Sequence, residues 1–491
     1  MQLALSGVSY TYPAAPSPIL SNISITFPQG WTGLLGDNGC GKSTLARIAC
    51  GLLAPDAGSV TRGLVAVLCT QEVDDPPEEL FDFAVDYGRE ARELRHIFAL
   101  EDDMPWRFDE LSCGERKKLQ IAVALWRRPD VLVADEPTNH LDVDARAELA
   151  AALGRFRGIG ILVSHDRELL DALVSRCISF EHGGLVVRPG GYTAAHGQAE
   201  LERETARRER EAAKEDLARL AAEKDRRAHE AARAQARRSK RHLDPKDHDA
   251  KGKINLAIFT GKDGSAGRAA AQMDARLAAA RERLAAAHVA KRYDGGLWLN
   301  AQPSPRKTLV HLPEGRIPCG PGTLEMPELY VDSTDHVAIV GPNGAGKTTL
   351  LNHLRTLIAP DLRLLDIPQE PSAEERAAVL TQIRELGKAE RGRVLSTVAQ
   401  LNSDPDRILV GARTSPGELR KLMLARGLLD QPVLIVMDEP TNHLDLHSTQ
   451  ALERALAAYP GALVLVSHDR AFLAACTNRT WEVRDGRVRE V

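Results

Sequence analysis

Glu136-Pro137-Thr138-Asn139-His140-Leu141-Asp142 recurs without change as Glu439-Pro440-Thr441-Asn442-His443-Leu444-Asp445. Each copy follows an apolar run that ends in an aspartate, Val131-Leu132-Val133-Ala134-Asp135 and Val433-Leu434-Ile435-Val436-Met437-Asp438. Such runs have the length of a buried strand. Working outward, Leu111-Ser112-Cys113-Gly114-Glu115 returns as Thr414-Ser415-Pro416-Gly417-Glu418, and Val163-Ser164-His165-Asp166-Arg167 as Val466-Ser467-His468-Asp469-Arg470. Ser112 to Ser415, Glu136 to Glu439 and His165 to His468 are each 303 residues apart, while Lys42 to Lys347 is 305. The copies are therefore collinear, with one short indel. Two copies at so long a period make a tandem domain and not a solenoid. Short β runs alternating with helical stretches predict an α/β fold with a largely parallel core sheet, built twice.

The chemistry begins at two glycine-rich loops, Gly36-Asp37-Asn38-Gly39-Cys40-Gly41-Lys42-Ser43-Thr44 and Gly341-Pro342-Asn343-Gly344-Ala345-Gly346-Lys347-Thr348-Thr349. The glycines let backbone N–H groups converge on phosphates at a helix N-terminus. Lys42 and Lys347 are placed to neutralise β/γ oxygens, and Ser43 and Thr348 to ligate Mg²⁺. Asp135 and Asp438 supply a carboxylate in the second coordination sphere of Mg²⁺ at a strand end. Glu136 and Glu439 then stand as general bases toward an attacking water. His165 and His468, each 29 residues after its glutamate, are read as γ-phosphate sensors. Gln71 and Gln369, just past β runs, are read as ligands of the metal and the water.

Composition narrows the class. The 491 residues suggest two or three domains, 43% apolar content suffices for ordinary cores, and a net charge of −4 does not announce a nucleic-acid binder globally. Seven scattered cysteines form neither a disulfide framework nor a metal-ligand spacing, and Cys40 and Cys113 read as small fillers within motifs. No apolar run approaches the ~18–20 residues that span a bilayer, and no signal peptide is read at the start. A soluble, cytoplasmic protein is expected.

Three segments follow: 1–192 and 301–491 as the repeated domains, and 193–300 between them. From about Ala199 to Arg238 the middle segment is mostly Ala, Glu, Lys and Arg, with no glycine or proline, and predicts one long solvated helix. It breaks at Pro245 and Gly252. A second helix is expected from about Ser265 to Arg292, with Met273, Leu277, Ala280, Leu284 and Ala287 spaced to form a sparse seam against Leu217 and Leu220. A tether between domains would be shorter and richer in Gly, Ser or Pro. Residues 231–253 hold eight Lys/Arg against three Asp, so the tip of the hairpin is basic. Arg237, Arg238, Lys240 and Arg241 are its candidate RNA contacts.

Taken together, these motifs resemble the ATP-binding cassette (P-loop NTPase) proteins. The Glu-Pro-Thr-Asn-His-Leu-Asp form, the twin cassettes without membrane spans and the charged helical hairpin between them are similar to the ABC-F family, over nearly the whole chain. The resemblance implies head-to-tail pairing of the cassettes within one monomer, with ATP and Mg²⁺ held between them. Site one would join Lys42, Ser43, Gln71, Asp135, Glu136 and His165 to Ser415 and Gly417. Site two would join Lys347, Thr348, Gln369, Asp438, Glu439 and His468 to Ser112 and Gly114. Both signatures lack the first of the family's two glycines. Tyr12 stands where the family's adenine-stacking aromatic would be, with Tyr10 as a rival. No aromatic lies between Trp298 and Tyr330, and the N-terminal strands of the second copy look truncated, so unequal sites are expected.

The resemblance further implies an ATPase whose ATP-bound, closed form sits at the ribosome. Its hairpin would reach toward rRNA and tRNA, modulating translation or protecting it from antibiotics until hydrolysis releases it. The alternative is an ATPase subunit of a transporter, which would leave the hairpin without a job. A DNA-repair or chromosome ATPase would carry CxxC insertions or far longer coiled coils.

Overall fold

The computed structural model describes residues 1–13, 15–139, 141–181, 183–237, 263–287, 302–369, 371–403, 405, 415–442 and 444–491. The chain divides into two compact units, one of Met1–Ala195 with Arg292–Val491 and the other of His196–Lys291.

In the N-terminal lobe, β1 (Gln2–Tyr10), β2 (Leu20–Pro28) and β3 (Gly30–Leu35) lead into α1 (Lys42–Ala49), followed by β4 (Ala57–Val60) and β5 (Ala66–Cys69). A small helical region holds α2 (Leu80–Val85), α3 (Arg89–Ile97) and α4 (Cys113–Trp126). The chain then alternates through β6 (Val131–Asp135), α5 (Val143–Leu153), β7 (Ile159–Val163), α6 (Arg167–Leu173), β8 (Val174–Glu181) and β9 (Gly184–Pro189). The main sheet has the order β5-β6-β7-β3-β8-β9, all neighbours parallel except β8 and β9. Every residue of β6 and β7 is buried, which is why these strands read as unbroken apolar runs and not as alternating ones. β3 lies inside the sheet, and the first glycine-rich loop leaves its C-terminal end, the end at which parallel α/β sheets bind ligands.

The C-terminal lobe repeats the plan. It opens with β10 (Thr308–Leu312), β11 (Gly315–Cys319), β12 (Gly322–Met326), β13 (Leu329–Asp332) and β14 (His336–Val340), which leads into α9 (Lys347–Leu357) by way of the second loop. That numbering follows α7 (Tyr192–Arg237) and α8 (Asp263–Ala286) of the intervening segment. After β15 (Leu364–Ile367), α10 (Ala373–Glu385), α11 (Lys388–Gln400) and α12 (Pro416–Gly427) come β16 (Leu434–Asp438), α13 (Leu446–Ala457), β17 (Ala462–Val466), α14 (Arg470–Cys476), β18 (Arg479–Arg484) and β19 (Arg487–Glu490). The sheet order is β11-β12-β19-β18-β14-β17-β16-β15.

The start of this lobe differs from the sequence reading. β10 and β13, five and four residues against nine each for β1 and β2, are indeed short. Between them, however, β11 and β12 form an antiparallel hairpin that joins the edge of the main sheet through Glu325 and Arg487. Pro318, Gly320, Pro321 and Gly322 punctuate that stretch as a loop would be punctuated. An edge strand tolerates them because one side of it needs no ladder.

α7, which belongs to the second unit from His196 onward, runs 46 residues, about 70 Å at 1.5 Å per residue. Pairs at i,i+4 such as Glu204–Arg208 and Glu223–Arg227 stud its exposed surface. On α8, Met273, Leu277 and Ala280 are buried, while Leu217 and Leu220 of α7 are half-buried. Lys224 meets Asp274 at 2.7 Å. Arg237 is the last residue of α7. Arg238, Lys240, Arg241 and the breaks at Pro245 and Gly252 lie outside the described residues.

Candidate functional site

The two glycine-rich loops are built alike. Gly36, Gly39 and Gly41 have φ of 153°, 79° and 106°, and Gly341, Gly344 and Gly346 have 150°, 76° and 104°. The left-handed region favours residues without a Cβ. At Gly341 a Cβ would also run into the Val483 carbonyl. One turn in each loop closes through Cys40 N–H to Asp37 O and Ala345 N–H to Pro342 O, both 3.3 Å. Lys42 Nζ folds over its loop to donate to the carbonyls of Gly36 (2.7 Å) and Asp37 (2.9 Å). Lys347 does the same to Gly341 and Pro342, both 2.9 Å. An ammonium held above a ring of N–H groups at a helix start is a cradle for phosphate oxygens.

At the ends of β6 and β16, burial raises the carboxyls of Asp135 and Asp438 above the usual range, and in Asp135 a hydrogen bond with Ser43 opposes that rise. Burial likewise pushes Glu136 and Glu439 up, to about 8 and about 7. Each sits at positive φ, 45° and 49°. That conformation is uncommon for a residue with a side chain and clusters at functional sites. It is held by the glutamate N–H bonding to Val163 O and Val466 O, both at 2.8 Å. Oε2 of each glutamate accepts from the following histidine's N–H, at 3.3 Å for His165 and 3.4 Å for His468. Oε1 of each is buried and lies 3.4 Å from His165 Nε2 in one lobe and 3.5 Å from His468 Nε2 in the other, with no closer hydrogen bond among the described residues. A buried acceptor held only by this long contact has capacity left for a water. Burial first, and then Lys42 or Lys347, push His165 and His468 far below their ordinary values, His468 to about 3. Both imidazoles are thus neutral at pH 7, and each offers a single N–H donor rather than a charge.

The signature segments are helix starts. Ser112 caps α4 and Ser415 caps α12, each in a capping box with the glutamate three residues on. The Ser-x-Gly-Glu spacing is the sequence form of that box. It aims the N-terminus of a 14- or 12-residue helix outward, where negative charge is favoured.

A cleft of about 540 Å³ brings the first composite set together. Tyr12, Lys42, Ser43, Gln71, Asp135, Glu136 and His165 line it from one lobe, and Ser415 and Gly417 from the other. The volume lies within the range of small-molecule sites. At the second set, Asp142 of the N-terminal lobe accepts from the N–H of Asn343 in the opposite glycine-rich loop (2.8 Å). Burial works against the Asp142 charge, yet that bond and one from Ala145 leave its carboxyl below the ordinary range. His468 Nε2 contacts Asn343 Oδ1 at 3.1 Å.

Sequence reasoning missed several residues here. Arg146 on α5 donates to Asp166 (3.1 Å) and across to the carbonyl of His468 (3.3 Å). His447 Nδ1 meets Asp37 Oδ1 at 2.6 Å, tying α13 to the first loop. Beneath the sites, buried cations on the signature helices grip the backbone. Lys117 donates to the carbonyls of Thr70 and Gln71. Arg420, 303 residues on, donates to those of Gln369, Glu439 and Asn442. The matching pair of cations was the one available signal.

The lobes also differ where a base would lie. Tyr12, 38% exposed, sets its hydroxyl 3.0 Å from Thr44 Oγ1. In the C-terminal lobe the matching Thr349 meets Cys319 Sγ at 3.6 Å instead.

The family model described as "ABC transporter" matches this chain twice, over residues 20–139 and 324–442. The chain is 30% identical to the "Ribosome protection protein VmlR" of Bacillus subtilis (strain 168), over 97% of this chain and 85% of that one. It is also 30% identical to the "Tylosin resistance ATP-binding protein TlrC" of Streptomyces fradiae, over 99% and 98%. Among solved structures, the complex of archaeal ribosomal stalk protein aP1 and the archaeal ribosome recycling factor aABCE1 is similar at a TM-score of 0.63 and 19% identity, over 98% of this chain and 89% of that one. The likeness there is one of fold. Among the described residues no helix is long and apolar enough to cross a membrane.

Proposed function

The chain belongs to the ABC-F family of ATP-binding cassette ATPases, and from that premise we propose that it binds the ribosome in its ATP-bound, closed form and leaves when ATP is hydrolysed. One ATP with Mg²⁺ occupies each composite site. Ser43 and Thr348 hold the metal, aided by Gln71, Gln369, Asp135 and Asp438. In their ionised form, which the charges of Lys42 and Lys347 favour against burial, Glu136 and Glu439 take the proton of the attacking water, and neutral His165 and His468 donate to the γ-phosphate. The observation that carries this reading is the cleft in which one lobe's glycine-rich loop and glutamate face the other lobe's signature serine. A triphosphate bound there touches both lobes and favours the closed state, and its hydrolysis removes that bias. The ribosomal target is supported by the similarity to a ribosome protection protein and by a long paired helix insertion that a transporter subunit does not need.

The basic hairpin tip contacts rRNA or tRNA in this reading. Replacing Arg237, Arg238, Lys240 and Arg241 with Ala lowers ribosome affinity and flattens its salt dependence, because each lost phosphate contact reduces counterion release. Co-sedimentation across a salt series measures this. An unchanged slope removes the tip from RNA contact, and purification with a membrane partner instead of ribosomes favours the transporter alternative.

Tyr12 stacks on adenine in site one, and site two has only Cys319 in that place. Tyr12→Ala therefore weakens nucleotide binding to site one, by about 1–3 kcal/mol on the scale of base–aromatic stacking. Titration of a fluorescent ATP analogue into the Lys347→Ala background, where site two is impaired, reads the effect in isolation. Equal affinity with and without Tyr12 would count against the assignment.

A further inference from the structure

Phe81 and Val85 lie one turn apart on α2 and both face outward, 51% and 58% exposed, while Leu80 and Phe83 of the same helix are buried. Trp106, 63% exposed, sets its ring against Phe81 with centroids 5.0 Å apart. Single exposed apolar residues need no explanation, but a rigid aromatic pair extended by an aliphatic neighbour is the kind of patch that marks an interaction site. Its surroundings are strongly charged. Residues 72–110 contain fourteen Asp/Glu against four Arg and no Lys. Glu78, Glu79 and Asp82 flank Phe81 in sequence, and Asp102, Asp103, Asp109 and Glu110 flank Trp106. The internal copy provides a control. The corresponding residues 370–413 of the C-terminal lobe hold seven acids against seven bases, and no aromatic. A cassette can evidently be built without this face, so the site chemistry does not account for it.

We propose that the Phe81–Val85–Trp106 face is a docking surface for a basic protein segment. Lys and Arg side chains of the partner meet the acidic rim, and an apolar side chain lies on the aromatic pair. The charge decides between classes of partner: arginines outside the window pair with Glu79, Glu90 and Glu93, and the acids still in excess repel nucleic-acid phosphates and attract a cationic peptide. That the segment belongs to a ribosomal protein rests on the function proposed above; the chemistry of the face does not.

The test has two arms that separate those statements. First, p-benzoylphenylalanine is placed at position 106 in the Glu136→Gln/Glu439→Gln protein, which is then pelleted with purified ribosomes and ATP and irradiated. Co-sedimentation scores the ribosome reading by itself. From the pelleted complex, a cross-link to a Lys/Arg-rich stretch of a ribosomal protein is expected, whereas a cross-link to rRNA, or none, overturns the proposal. Second, a fluorescent peptide of Lys residues with Leu at every fourth position is titrated against the otherwise unaltered chain. Phe81→Ser/Trp106→Ser is expected to bind it about thirtyfold more weakly, the scale of one hot-spot residue, with ATPase rate unchanged as the sign of an intact fold. Asp102→Asn/Asp109→Asn/Glu110→Gln, which leaves the apolar packing alone, is expected to weaken binding at low salt. Equal peptide affinity across all three proteins overturns the proposal even if ribosomes co-sediment.

Discussion

The Glu136→Gln/Glu439→Gln protein is expected to hydrolyse ATP roughly 10²–10⁴-fold more slowly than the parent, the range that general-base removal usually costs, while still binding nucleotide. Glutamine keeps the volume of the side chain and its polar contact with the histidine N–H, but it cannot accept the water's proton. The glycine-rich loops, Lys42, Lys347 and the signature helices are untouched, so both nucleotides stay in place. The closed form then accumulates, because the step that ends it has been removed. Single-turnover phosphate release and filter binding measure the two halves separately. Hydrolysis near the parental rate would remove the glutamates from the role of base. Glutamine is also the correct probe for a backbone reason. Both residues hold φ near +45 to +49°, and a glycine or alanine would change the local chain as well as the chemistry.

The largest stability effect is expected at Arg420. Its guanidinium is buried, 5% exposed, and bonds three carbonyls from two segments: Gln369 after β15, and Glu439 and Asn442 after β16. Arg420→Met keeps the apolar stem but strands those acceptors, each worth about 1–3 kcal/mol when buried without a partner. A loss of about 3–5 kcal/mol follows, as for other buried charge networks broken on one side. Arg420→Lys should recover part of it, since Lys117 serves the N-terminal lobe by gripping two carbonyls. Urea unfolding of the three proteins decides the matter. A methionine variant as stable as the parent would show that the carbonyls find water instead.

The parts of the site legible in sequence are those whose chemistry requires neighbours along the chain. A phosphate cradle needs glycines and a lysine within one turn, and a capped helix start needs a serine three residues before a glutamate. The acidic strand end needs an apolar run before it. What escaped was chemistry assembled across the fold. Arg146 reaches His468, and His447 reaches Asp37, between lobes, so no local spacing announces either contact. Lys117 and Arg420 looked like ordinary charged positions on a helix because burial is invisible in a one-dimensional pattern. The hairpin of β11 and β12 hid behind Pro and Gly residues, and the cysteine opposite Thr349 became meaningful only once Tyr12 was seen against Thr44. The helix from Tyr192 began seven residues before the Ala/Glu/Lys/Arg texture suggested, since Gly197 sits inside it without ending it.

The pair of His447 and Asp37 carries a further meaning when the two lobes are laid over each other. The position matching His447 in the N-terminal lobe, 303 residues earlier, is Asp144. Two N-terminal lobes from separate molecules, docked in the same geometry, would place Asp37 against Asp144, carboxylate against carboxylate. Two C-terminal lobes would set His447 against Pro342 and gain nothing. Only the mixed pairing joins an imidazole to an acid. Specificity is set by repulsion in the wrong pairing as well as by contacts in the right one. This contact therefore tilts the choice of partner toward the unlike lobe to which each half is already tied: two N-terminal lobes meet a repulsion there, and two C-terminal lobes lose an attraction.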